Sequence, residues 1–171
     1  MKKLMIFLLL LLLSLLAYGA CADEATGNIT ASVNVSGSFF LIVNSDSFDF
    51  ASLMPGQTGE MSRTEGITVT GSSAGGDPWY LKVAVVSALS SGSDFIPNEN
   101  FTWNGTSEGK GSWYGSVDRS FAGGSNTAYI SSRDESASGA KVASKFNFRL
   151  TVPEDTKPGS YTTTVMFTLT E

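Results

Sequence analysis

The chain has 171 residues, with 11 Lys and Arg against 16 Asp and Glu, no histidine, one cysteine and a charged fraction of only 16%. The missing imidazole excludes a Ser-His-Asp triad, a Cys-His pair and any histidine-bearing zinc site. A net charge of −5 argues against a nucleic-acid binder, which needs a basic face to neutralise phosphates.

Residues 1–22 read as an export signal. Lys2 and Lys3 supply the positive start, and Met5 to Leu16 form an apolar run broken only by Ser14, shorter than the roughly 20 residues a spanning helix needs. Small residues at Ala20 and Ala22 place cleavage after Ala22, leaving a single domain over residues 23–171. Loss of the two lysines takes the net charge from −5 to −7. Cys21 is open to a second reading, as the lipidated cysteine of a bacterial lipoprotein, although Tyr18 stands where that signal has an aliphatic residue. A membrane is an expected partner only in that case. The four Asn-x-Ser/Thr sequons, at Asn28, Asn34, Asn100 and Asn104, fit a Ser/Thr/Asn-rich composition better than glycan acceptance.

Beyond the leader the period is two. Ile29, Ala31, Val33 and Val35 alternate with Thr30, Ser32 and Asn34, as a half-buried strand does. Phe39 to Val43 is a continuous apolar run, the pattern of a strand buried on both sides. Ile67 to Thr70 forms a short strand that Gly71-Ser72-Ser73 should stop. Trp79, Leu81, Val83 and Val85 alternate with Tyr80, Lys82, Ala84 and Val86. Residues 90–140 lose the pattern, and long connections are expected there, with short strands near Phe101-Thr102-Trp103 and Ala128-Tyr129-Ile130. Phe146, Phe148, Leu150 and Val152 then share a face. After a turn over residues 153–160, Tyr161, Thr163, Val165, Phe167 and Leu169 share another. Short strands, Gly/Ser/Asn turns and no convincing helix predict an all-β fold, an Ig-like antiparallel β-sandwich.

Three groups of residues are candidates for function or for structure. Trp103, Trp113 and Tyr114 could present aromatic faces to a sugar; the competing reading is that they plug the sandwich and anchor its loops. Asp46 with Asp49, Asp134 with Glu135 and Glu154 with Asp155 are loose carboxylate pairs without the spacing of a calcium loop or a glycosidase. No metal, cofactor or catalytic residue is expected. Pro158-Gly159-Ser160-Tyr161 has the make-up of a tyrosine corner, a structural turn whose tyrosine bonds back to the preceding connection.

Two stretches resemble the WxL domain, a cell-surface module of Gram-positive bacteria. One is Pro78-Trp79-Tyr80-Leu81-Lys82-Val83, with a literal Trp-x-Leu; the other runs from Val152-Pro153 through Gly159-Ser160-Tyr161 to Phe167-Thr168-Leu169. Phe167 departs from the family, whose second motif has tryptophan there, so Trp79 and Leu81 carry over directly and Phe167 and Leu169 only as a variant. The resemblance implies a β-rich, non-enzymatic domain attached non-covalently to cell-wall polymer, in particular peptidoglycan, with Trp79 and Leu81 joining the aromatic residues as candidate ligand contacts. Plain core alternation accounts for the same residues. The alternative function is a fimbrial or coat-type subunit that joins other surface proteins by strand addition, with Ile29 to Val35 as the donor.

Overall fold

The computed structural model describes residues 39–61 and 66–171. The expected leader, Cys21 and the alternating segment Ile29 to Val35 lie outside the described residues. Twelve strands follow in order: β1 (Phe39–Val43), β2 (Thr58–Glu60), β3 (Ile67–Ser73), β4 (Tyr80–Val85), β5 (Leu89–Ser91), β6 (Asp94–Ile96), β7 (Phe101–Ser107), β8 (Ser112–Trp113), β9 (Arg119–Ser120), β10 (Asn126–Ile130), β11 (Val142–Thr151) and β12 (Val165–Thr170).

They form two packed antiparallel sheets and a small hairpin. The six-stranded sheet has the order β1-β3-β11-β7-β9, with β2 also pairing β11. The four-stranded sheet runs β12-β4-β10-β8, and β5 pairs β6. The all-β sandwich expected from the alternation is therefore present. Its spine is β11, ten residues long, because Val142, Ser144, Phe146, Phe148 and Leu150 all turn inward while their neighbours face out. One side of β11 pairs with β7, and the other pairs first with β3 and then with β2.

Several elements depart from the alternation. β3 continues through Gly71-Ser72-Ser73, expected to end it, because β11 pairs it as far as Gly71 and β1 pairs it on to Ser73. β12 starts only at Val165; before it, Thr162 makes an isolated bridge to Ser90. Residues 90–140, expected to be mostly connections, carry β7 and four shorter strands. β1, expected to be buried on both sides, is an edge strand: Phe39, Leu41, Ile42 and Val43 are 51, 37, 52 and 38% exposed.

The alternation also gave no sign of the helix Arg133–Ser138. Ser132 caps it, accepting from Glu135 N, while the Glu135 carboxylate accepts from Ser132 N, a reciprocal capping box. Gly139 closes it in the left-handed region at φ 64°. Glu135 does more than cap. Its two oxygens also take the Tyr129 hydroxyl at 2.7 Å and the Lys110 amide at 2.7 Å, so one buried carboxylate ties the helix to β10 and to the connection before β8. Burial opposes its charge, but these donors outweigh burial and hold the carboxyl below its usual range; burial and the adjacent carboxylate push the Tyr129 hydroxyl up.

The depressed native value makes Glu135 a stabilising group whose contribution is complete above the ordinary carboxyl pKa of 4.5 and is lost as pH falls through the native value. Glu135→Gln is expected to lower stability by about 2 kcal/mol at neutral pH, the scale of a hydrogen bond to a charged group. It is also expected to shrink the loss of stability seen between neutral and acid pH, read by urea denaturation at both. An unchanged acid limb would contradict this account.

Candidate functional site

The sandwich alternation decides where the candidate residues go. Trp79 and Leu81 precede and occupy β4 with side chains inward, and they are 0 and 1% exposed. Trp103, inward on β7, is 1% exposed. Trp113 is half-buried, packed edge-on against Trp103 at 5.9 Å and Phe146 at 5.3 Å, with its Nε1 donating to the Gly105 carbonyl at 3.0 Å. Of the proposed stacking residues only Tyr114 reaches solvent substantially. The aromatics are assembled, but as core, so they present no joint platform to a sugar. Gly115 permits the fit: a Cβ there would lie 2.6 Å from the Trp113 ring and would also clash with Trp103.

The two motif stretches meet side by side. β12 pairs β4 with Leu169 opposite Leu81 and Phe167 opposite Val83. Phe167 then packs edge-on against Phe146 across the sandwich at 4.9 Å. The turn before β12 is a tyrosine corner as expected: the Tyr161 hydroxyl donates to the Lys157 carbonyl at 2.9 Å. The carboxylate pairs do not converge. Asp46, Asp49, Asp134, Glu154 and Asp155 are exposed on separate segments, and the described residues contain no acidic cluster able to hold a metal ion.

What alternation could not show is a mismatch in width between the sheets. Leu169 lies over Gly71 of β3, where a Cβ would be 3.1 Å from its Cδ1, and Phe167 lies over β11. β12 therefore covers β3 and β11, and it is also the last strand of its sheet. β1 projects one strand further. Its register with β3 (Leu41↔Gly71, Val43↔Val69) puts Phe39, Leu41 and Val43 on the core-facing side, yet all three are exposed while Val69 is 0% exposed. The strip is apolar, and none of the other described residues covers it.

It runs into a groove of about 1270 Å³. Val43, Val165 and Phe167 stand where the two meet; Ile67, Phe101, Phe148 and Leu150 line the depth, and residues 45–51 and 156–163 form the walls. The volume exceeds the roughly 300–1,000 Å³ of small-molecule pockets. A concavity of that size, with an apolar floor and polar walls, suits a length of polypeptide better than a metabolite. The wall at residues 156–163 is pinned by the tyrosine corner and by the Ser90–Thr162 bridge. The opposite wall is held by Phe48, stacked on Phe148 at 4.7 Å, and by Asp49, which accepts from Ala51 N at 2.8 Å.

No family model matches the chain, and no curated protein matches it. The site's meaning therefore rests on its geometry.

Trp79→Ala and Trp103→Ala are each expected to cost about 3–5 kcal/mol of stability, the scale for emptying a buried aromatic site. Gly115→Ala is expected to destabilise through the Trp103 and Trp113 rings. Urea midpoints check all three, and a wild-type midpoint for Trp103→Ala would show that the ring is not core.

Proposed function

We propose that this protein is an exported, non-enzymatic structural subunit of the bacterial cell surface, joined to its neighbours through the unfinished side of its sandwich. The observation that carries the reading is the uncovered strip of β1. Three inward-facing apolar side chains at 37–51% exposure on an edge strand form a surface that soluble proteins normally cover. The scattered carboxylates and the internal position of the tryptophans favour protein association over catalysis or sugar stacking. Export rests on the leader-like residues 1–22.

A second reading, attachment to peptidoglycan in the manner of WxL domains, is favoured by one observation. The two motif stretches that carry that resemblance form neighbouring strands in direct register, Leu81 with Leu169. In this reading the motifs build the domain, and its wall contacts lie elsewhere on its surface.

The chain from Asp23 to Glu171 is expected to form assemblies that grow with concentration on size exclusion. Leu41→Asp should reduce them while leaving the unfolding free energy, read by urea denaturation, within about 0.5 kcal/mol, as for an exposed site. A monomer at every concentration overturns the subunit reading, and if that monomer sediments with purified peptidoglycan the second reading takes its place.

A further inference from the structure

We infer that Ile29 to Val35 of a second copy adds antiparallel to the free side of β12 and lays its apolar face over β1. This rests on the subunit reading above and deepens it by naming the segment, the acceptor edge and the direction.

The vacancy is one strand wide. Strands lie about 4.8 Å apart within a sheet and packed sheets about 10 Å apart. A strand added beside β12 therefore sits directly over β1, which projects one strand past it. Among the described residues nothing pairs with that side of β12. Addition there would satisfy a row of backbone groups and cover Leu41 and Val43 in one step.

The occupant follows from period and charge. Residues 25–45 contain no charged side chain, so the segment covers the apolar strip of β1 without stranding a charge. Ile29, Ala31, Val33 and Val35 form the apolar face that the strip requires, and Thr30, Ser32 and Asn34 would continue the polar outer surface begun by Thr168 and Thr170. Seven residues match the six of β12.

Direction selects a second copy. Phe39 pairs with Ser73, and the Ser73 hydroxyl bonds the Glu171 carboxylate, so β1 begins at the end of the sandwich where β12 finishes. A segment leading into Phe39 of the same chain would have to run alongside β12 in the same direction. Every strand pairing among the described residues is antiparallel. A neighbouring copy meets no such restriction. Donor and acceptor are different surfaces, so the contact is head-to-tail, and it builds a ring or an open filament according to the rotation between copies.

Cysteine pairing tests this directly, because a chain beginning at Asp23 contains no other cysteine. Ser32→Cys and Thr168→Cys, made in separate chains and mixed under mild oxidation, should give a disulfide between the two chains in preference to either homodimer. A disulfide needs Cα atoms within about 7 Å, so the product reports adjacency. Val33→Asp in the Ser32→Cys chain places a charge on the inserted face and should abolish the product, while urea midpoints confirm that each chain is folded. Assemblies on size exclusion without the mixed disulfide overturn this inference and leave the subunit reading standing. A purely intrachain disulfide in the doubly substituted chain overturns the second-copy assignment. Monomers alone overturn both.

Discussion

Phe146 and Phe148, two places apart on the inward face of β11, are the contacts on which the rest of the sandwich depends. Phe146 touches Trp103 at 5.4 Å in its own sheet, then Trp113 and Phe167 in the other. Phe148 gathers Phe48, Phe101 and Phe121 at 4.7, 5.7 and 6.4 Å. One strand thus fastens both sheets and the groove wall. With a single cysteine, no intrachain disulfide is available to share the task. Burial of aromatic area, about 1.5–3 kcal/mol per side chain, and tilted or edge-on pairing must supply the cohesion that cross-links give many exported domains.

The parts of this architecture that follow a strict period of two were legible in the sequence. β4 and β11 alternate cleanly because each has one face on the core, and Pro158 to Tyr161 announced its turn through residues with fixed or permissive backbone angles. β7 was harder to see. Asn104-Gly105-Thr106-Ser107 reads as a loop, but β11 on one side holds it extended; a Cβ at Gly105 would collide with the Lys145 carbonyl, so the glycine is needed for close approach. The Ser132-x-x-Glu135 spacing was a recognisable helix-start signal, hidden in a segment rich in serine.

The candidate site was legible in part. An aromatic residue between glycines and serines looks the same whether its ring faces a ligand or a neighbouring sheet, and only the register of β7 and β10 settles which. The apolar run of β1 has the pattern of a doubly buried strand, because nothing in its five residues tells an interior strand from an unfinished edge. That distinction belongs to sheet order, a property of the whole chain. The same composition therefore supported a wall-binding reading and an assembly reading, and the uneven widths of the two sheets favour the second.

The pinned rim of the groove has a kinetic consequence. Tyr161 bonded to Lys157, Thr162 bridged to Ser90 and Phe48 stacked on Phe148 leave little for an arriving strand to rearrange. In the proposed assembly the acceptor side would add little to the ordering cost, which is about 1–2 kcal/mol for each backbone residue fixed. In the proposed assembly, escape would require all the contacts of the added strand to open again. A receptor that is stiff before contact would convert a weak initial touch into a long-lived junction.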